Sequence, residues 1–145
     1  MRIDRIELRQ VKMPLVAPFE TSFGVEVEEE HIIVRVDAEG LVGWGECVAS
    51  RDPFYSYETN QTAWHVLRVY LIPSILRQTI AGMDDAIDRW DRIRGHNMAK
   101  AGLESALWDL FAKAKGASLA KMLGGTRERI PVGVSVGIQS SPSAL

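Results

Sequence analysis

The fold depends most on one stretch of sequence, Asn97-Met-Ala-Lys-Ala-Gly-Leu-Glu-Ser-Ala-Leu-Trp-Asp-Leu-Phe-Ala-Lys-Ala-Lys-Gly116. Its apolar residues recur at intervals of three and four, which places them on one face of an α-helix. Gly116 supplies a C-terminal stop, and Lys113 and Lys115 lie in the last turn, where cations complement the helix dipole. We therefore predict a helix with a buried apolar face, formed by Leu103, Ala106, Leu107, Leu110, Phe111 and Ala114.

The same helix carries small residues that favour close packing. Ala99, Ala101, Gly102 and Ser105 have short side chains, so another backbone can approach them. Gly102 costs about 1 kcal/mol of helix propensity relative to alanine. We expect close packing against a neighbouring element to compensate for this cost.

The composition is that of an ordinary globular domain. The length of 145 residues predicts about one domain. Hydrophobic residues make up 46% and charged residues 25%, which argues against disorder or a fibrous repeat. The 17 Lys and Arg residues against 19 Asp and Glu give a net charge of −2. We therefore expect neither nucleic acid nor an anionic membrane as a partner.

The single cysteine and the distribution of charge indicate the cellular compartment of the protein. Cys47 is the only cysteine, which excludes an intramolecular disulfide and favours a reducing compartment. The first residues are charged at every second or third position, unlike the apolar region of a signal peptide. No apolar run approaches the ~20 residues needed to cross a bilayer. We predict a soluble, cytoplasmic protein with no membrane partner.

The first 48 residues predict a three-stranded antiparallel meander. Residues from Ile3 to Met13 alternate between apolar and charged, and His31 to Asp37 is rich in β-branched residues. Leu41 to Val48 follows a short turn and completes a hairpin. The segment from Ala17 to Gly24 has the composition of an irregular, exposed loop. A sheet of this size is stable only when something covers one face.

Helices are predicted to supply that cover. Residues from Ser56 to Leu71 keep helical spacing after a turn at Arg51 to Ser56. Pro73 is expected to interrupt this helix, because proline lacks a backbone donor. Ile75 to Ile80 and Asp84 to Ile93 are predicted as two shorter helical pieces.

The carboxy-terminal part predicts one more strand. Between Ile130 and Ile138, valine and isoleucine alternate with glycine and serine, a pattern typical of a strand. Such an apolar strand needs neighbours on both edges, and the meander lies far away in sequence. We expect its pairing strands to be missing from this sequence.

Other chemically active residues predict no site of their own. Glu46-Cys47 suggests a nucleophile, but no signal brings a histidine beside it, and a buried apolar thiol is the commoner case. The three histidines lack ligand-like spacing, so no zinc site is predicted. Four aspartates alternate with arginines, a pattern that favours a solvated helix face over a metal cluster; they are Asp84, Asp85, Asp88 and Asp91.

Taken together, several motifs resemble the enolase superfamily, and within it the muconate-lactonising subgroup. The segments that carry the resemblance are Met13 to Leu15, Pro18 to Gly24, Gly43 to Cys47, Pro53 to Thr59, Met98 to Asp109 and Leu123 to Gly125. The closing Val132 to Ile138 is most similar to the branch that contains o-succinylbenzoate synthases and N-acylamino acid racemases.

The resemblance implies an α+β fold in two parts. Residues 1–125 would form the N-terminal capping domain of the superfamily, a three-stranded antiparallel meander followed by a helical bundle. Residues 126–145 would begin a (β/α)8 barrel, with its first strand at residues 131–138 and the remainder of the barrel absent.

The resemblance also implies an activity. Family members remove the proton next to a carboxylate with lysine bases and Mg²⁺, and the lysines and metal-binding carboxylates lie on later barrel strands. We therefore expect no catalytic or metal-binding residue in this chain, and no activity from it alone. The preferred reaction of the parent enzyme is dehydration to o-succinylbenzoate in menaquinone biosynthesis, with racemisation of N-acylamino acids as a second activity. A dipeptide epimerase, a muconate cycloisomerase and a non-catalytic binding module remain alternatives.

The capping domain of this family closes two loops over a small carboxylate substrate. Carried over by position, the expected substrate-binding residues are Phe19, Thr21, Phe23, Tyr55 and Ser135. Each also has a structural alternative: the phenylalanines could plug the first loop onto the sheet, Tyr55 could pack at a helix entry, and Ser135 could simply fit a crowded strand. Apolar surface left by the missing barrel would favour a homo-oligomer.

Overall fold

A computed structural model describes residues 1–22, 24–139 and 141–144. Its sheet has three antiparallel strands in the order β1 (Arg5–Thr21), β2 (Gly24–Ala38) and β3 (Leu41–Cys47). The predicted meander is therefore confirmed. Alternate β2 residues point into the core, and the β-branched Ile32, Val34 and Val36 are fully buried there.

The first hairpin is longer than the sequence predicts. The segment from Ala17 to Gly24 was expected to be an irregular loop, and this prediction is wrong, since β1 continues to Thr21 and pairs with β2 up to Gly24. The register shifts between Pro14 and Phe19, so the pairing of the strand is irregular between these two residues and resumes at Phe19.

The helical part begins with a long, imperfect helix. Helix α1 (Asn60–Val66) is followed without a break by a π-helical turn (Leu67–Leu71) and by α2 (Ile72–Ile75). The predicted interruption at Pro73 is wrong. The amide of Ile72 donates to the carbonyl of Leu67, so the wider π turn adjusts the helix just before the residue that has no donor.

The next predicted helix, Ile75 to Ile80, is also absent. After α2 the chain turns back and pairs with the amino terminus: the amide of Arg77 donates to the carbonyl of Ile3 at 2.8 Å, and the amide of Ile3 donates to the carbonyl of Gln78 at 3.0 Å. These bonds satisfy the backbone in place of a helix. Helix α3 (Met83–Trp90) follows as predicted and buries Trp90.

Helix α4 (Asn97–Ala114) covers the sheet and organises the core. Leu103, Ala106, Leu107 and Leu110 are fully buried, as predicted. The rest of the predicted face is less buried, because Phe111 is half-buried and Ala114 is exposed in the last turn.

Glycines allow α4 and β3 to pack with their backbones in contact. A Cβ on Gly43 would overlap the carbonyl oxygen of Ala106, and a Cβ on Gly45 would overlap that of Gly102. A Cβ on Gly102 would lie 2.8 Å from that of Cys47. The close approach predicted from the small residues of α4 is therefore confirmed at Gly102, and β3 supplies glycines opposite.

Helix α4 also closes the outer edge of the sheet. The amide of Trp44 donates to Asp109 Oδ2 at 2.9 Å, and Lys113 Nζ donates to the carbonyl of Val42 at 2.8 Å. Two helix side chains thus satisfy edge groups of β3 that would otherwise be open to another strand. Gly116 ends the region with a φ of 60°, which confirms the predicted C-terminal stop.

The carboxy-terminal segment does not form the predicted strand. After the short helix α5 (Leu119–Met122), no strand is present among the described residues 126–139, and the only later helix described is a 3₁₀ turn (Pro142–Ala144). A strand requires a hydrogen-bonded neighbour, and the meander does not provide one. The division at residue 125 stays a prediction, and so does a strand at residues 131–138 in the presence of further barrel strands that pair with it.

Among the described residues, no helix combines the length and apolar character needed to span a membrane.

Candidate functional site

A groove of about 250 Å³ lies between the start of β2 and the connection that follows β3. One wall is strand and the other is loop, and their nearest lining residues, Glu30 and Ser50, are 20 residues apart in the chain. Its lining residues are Gly24, Val25, Glu26, Val27, Glu28, Glu29 and Glu30 on the strand and Ser50, Arg51, Asp52, Phe54 and Tyr55 on the loop.

Backbone contacts position the loop wall. An isolated parallel bridge joins Ser50 to Thr59, and the amide of Asn60 donates to the carbonyl of Ser50 at 2.8 Å. The loop therefore leaves and returns at nearly the same point. Thr59 caps α1 through a reciprocal capping box with Thr62, so the helix begins directly after the loop. We call residues 51–57 the rim loop.

The second predicted loop lines the groove, and of the described residues of the first loop only Gly24 does so. Tyr55 lines the groove with 80% of its surface exposed. Phe19 pairs with Glu26 of the strand wall and is 54% exposed. Thr21 pairs with Gly24 at the hairpin tip, where its Oγ1 donates to the Gly24 carbonyl at 3.2 Å. Phe23 lies outside the described residues.

Ser135 is not brought to this groove. It is exposed on the carboxy-terminal segment and is not among the groove's lining residues. Its predicted contact with substrate depends on a folded barrel strand, so it stays a prediction.

Ion pairs balance part of the acidic charge of the groove. Lys12 Nζ lies 2.5 Å from Glu28 Oε1 and 3.7 Å from Glu30 Oε1, and Arg51 Nε lies 2.9 Å from Asp52 Oδ2. The hydrogen bond to Glu28 raises the pKa of Lys12, and the hydrogen bond to Asp52 raises the pKa of Arg51. Both cations thus stay protonated at neutral pH.

Sequence reasoning missed most of the strand wall. Valine and glutamate alternate in Val25-Glu26-Val27-Glu28, the period-two signal of a strand, but the preceding loop-like composition masked it. Arg51 and Phe54 lie in the predicted second loop without having been singled out. Phe54 is 71% exposed in the groove. The sequence signal that could have identified it is its position directly before Tyr55 in a predicted loop.

The described residues contain no cluster of metal ligands, and their one cysteine is not an activated nucleophile. They contain no group of three or more His, Cys, Asp or Glu side chains arranged to hold an ion, so they do not fit the Mg²⁺ that the resemblance implies. Burial raises the pKa of the Cys47 thiol, which keeps it protonated and poorly nucleophilic. Among the described residues, the groove is therefore the candidate binding surface.

The match to known families agrees with this geometry. Residues 5–124 match the family model of the mandelate racemase / muconate lactonizing enzyme N-terminal domain. The chain belongs to this family, as the resemblance predicted.

Two relatives of known activity are similar to this chain over nearly its whole length. An o-succinylbenzoate synthase from Geobacillus stearothermophilus is 46% identical over 146 aligned residues, which cover 100% of this chain and 39% of that protein. An N-succinylamino acid racemase from an Amycolatopsis species is 43% identical, over 97% of this chain and 38% of that protein. The chain thus spans about two fifths of the length of these relatives.

A solved structure confirms the fold. The structure of an enolase-superfamily member from Listeria innocua superimposes with a TM-score of 0.91 at 37% identity, over 97% of this chain and 38% of that one. The α+β capping architecture predicted from the resemblance is therefore confirmed.

Proposed function

We propose that this chain is the substrate-capping portion of a Mg²⁺-dependent enzyme that removes the proton next to a carboxylate. The preferred activity of the whole enzyme is that of an o-succinylbenzoate synthase, a dehydration in menaquinone biosynthesis. The observation that carries the proposal is the groove itself, in which the second loop expected to close over substrate faces the start of β2, the segment that directly follows the first loop. The 46% identity to a synthase over the full chain supports the choice of reaction.

In this proposal the chain binds and encloses a small carboxylate substrate. Tyr55 contributes apolar area from its ring and one hydrogen bond from its hydroxyl. The hairpin tip beside Phe19 and Thr21 and the rim loop exclude water when the site is closed. In the whole enzyme, Mg²⁺ held by the barrel would stabilise the developing negative charge, and lysines of the barrel would act as the bases. The chain by itself is therefore expected to be inactive.

A second activity, racemisation of N-acylamino acids, is favoured by the 43% identity to an N-succinylamino acid racemase. Both reactions begin with loss of a proton next to a carboxylate, so the same cap could serve both. A dipeptide epimerase, a muconate cycloisomerase or a non-catalytic binding module would retain the fold with different contacts in the groove.

A chimera tests the proposal directly. Residues 1–145 replace the matching segment of the Geobacillus stearothermophilus synthase, and the purified protein is assayed with Mg²⁺ for dehydration and for racemisation. We expect turnover from the chimera and none from residues 1–145 alone. A folded chimera that binds and turns over neither substrate, or activity from residues 1–145 alone, would contradict the proposal.

Tyr55→Ala in the chimera tests the groove. Loss of the ring contact and hydroxyl is expected to raise KM by about tenfold, or 1.4 kcal/mol, with little change in kcat. Tyr70→Ala provides a matched control, because Tyr70 is an exposed tyrosine on the π-helical turn outside the groove lining. Equal kinetics for the two variants would remove Tyr55 from the site.

We also propose that the chain associates with itself. Val132 and Val134 are 87% and 89% exposed on the carboxy-terminal segment, and adjacent exposed apolar side chains favour association. Sedimentation velocity over a dilution series should show a species larger than 16.1 kDa that dissociates on dilution. The double substitution Val132→Lys and Val134→Lys should weaken this association. A monomer at every concentration would contradict the prediction.

A further inference from the structure

Two buried polar side chains lie at the base of the rim loop. Glu58 is 2% exposed and Asn60 is 3% exposed, and they are the buried polar or charged residues of the described part of the chain. They flank Thr59, the N-cap of α1. Burying a polar side chain is unfavourable unless hydrogen bonds compensate, so the contacts of these two residues indicate what their burial achieves.

Asn60 contacts both walls of the groove. Its side-chain Nδ2 donates to the carbonyl of Glu30 at 2.9 Å, where the strand wall ends, and its amide donates to the carbonyl of Ser50 at 2.8 Å, where the loop wall begins. One buried residue thus joins the two segments at the base of the groove. Of its two bonds, only the one to Glu30 uses the side chain, so substitution can remove it selectively.

Glu58 fixes the same loop base to α4. Its Oε1 accepts from the amide of Met98 at 2.9 Å, and its Oε2 accepts from the amide of Ala99 at 3.1 Å. These amides belong to the first turn of α4, whose N-cap residue, His96, makes no capping bond with its side chain. A carboxylate from 40 residues away therefore replaces the local cap.

We propose that Asn60 is a positioning residue that fixes the width of the groove. Its side chain holds the strand wall through the Glu30 carbonyl, while Glu58 holds the loop base against the first turn of α4. The inference rests on the proposed function only in taking the groove as the surface that faces substrate.

The groove width can be measured without substrate. Nitroxide labels are placed on residues 1–145 at Val27→Cys and Phe54→Cys, exposed groove positions on opposite walls, and the distribution of distances between them is recorded by pulsed electron paramagnetic resonance. The buried Cys47 is expected to escape labelling in the folded chain. Singly labelled samples identify distances between copies.

Asn60→Leu is the main variant, because leucine has the same number and branching of side-chain heavy atoms as asparagine but lacks the donor to Glu30. Asn60→Ala is the second variant. Thr62→Ala is the matched control, since it breaks the exposed capping box of α1 at Thr59 and touches neither wall. Urea denaturation establishes that each variant is folded and how much stability it has lost.

The expected result is a broader distribution, shifted to longer distances, in both Asn60 variants, with Thr62→Ala indistinguishable from the parent. In the chimera, Asn60→Leu should raise KM by about three- to tenfold, the net contribution of one hydrogen bond, with kcat unchanged. A folded Asn60→Leu with the parental distribution would overturn the inference. Equal broadening in Thr62→Ala would do so too, by showing that general loss of stability is sufficient. An inactive chimera contradicts the proposed function and leaves the distance measurement to decide on Asn60.

Discussion

The junction between β3 and α4 and the groove beside Tyr55 are built from different kinds of contact. At the junction, glycines on both sides bring the backbones together, and Leu107 is fully buried. At the groove, the aromatic residues are mostly exposed, and acidic side chains line the strand wall. The junction holds the chain in one conformation, while the groove leaves side chains accessible to another molecule.

The difference separates stability from binding within one small domain. Buried apolar area and close packing stabilise the junction, so substitutions there should change the free energy of unfolding. Exposed side chains contribute little to that free energy, so substitutions in the groove should change binding instead. The following predictions test this division, from the largest expected change in stability to the smallest.

Leu107→Ala should have the largest effect. It removes a fully buried side chain from the face of α4, and the expected loss is about 2–5 kcal/mol of unfolding free energy. Urea denaturation followed by circular dichroism measures it. Leu123→Ala is the control, since Leu123 is 59% exposed and should change stability by less than about 0.5 kcal/mol. Similar losses at both positions would mean that the junction does not dominate stability.

Gly45→Ala should cause the second largest loss of stability. Its new methyl group would overlap the backbone of α4 at Gly102, so helix and strand must separate, at a cost of roughly 1–3 kcal/mol. Gly133→Ala is the matched control, because no atom lies within 4 Å of the added Cβ. The thermal midpoints of the two variants measure the difference. An unchanged midpoint for Gly45→Ala would show that the close approach is not needed.

The sequence predicted the junction better than the groove for a physical reason. Helical periodicity identified Leu103, Leu107 and Leu110, because burial acts on every turn of α4 and leaves a repeated signal. Gly43 and Gly45 were not assigned to the same junction, since a glycine's function depends on what lies opposite it. Partners in another element leave no local pattern.

The sequence predicted the residues of the groove less well still. The resemblance to a family singled out Tyr55 and the two loops, but local composition predicted an irregular loop where β1 and β2 form a paired hairpin. Pairing of Phe19, Glu20 and Thr21 with β2 overrode the loop-like composition of this segment. Glu58 and Asn60 were overlooked because their partners are 41 and 30 residues away in the chain.

Gly116→Ala should have a moderate effect at the end of the junction. The φ of 60° at this position is unfavourable for a residue with a Cβ, and the expected cost is about 1 kcal/mol. Gly116→Asn should cost less, because asparagine tolerates the left-handed conformation better. Denaturation midpoints should therefore fall in the order glycine, asparagine, alanine. Equal midpoints for the three residues would show that α4 ends without this conformation.

Tyr55→Ala should have the smallest effect on stability, less than about 0.5 kcal/mol, because 80% of the side chain is already exposed. Urea denaturation of this variant beside Leu107→Ala compares the two regions under the same conditions. A loss near that of Leu107→Ala would make Tyr55 part of the structural core and would remove the reason to expect it to face substrate. An unchanged free energy of unfolding, combined with the raised KM expected in the chimera, would separate the binding role of the groove from the structural role of the junction.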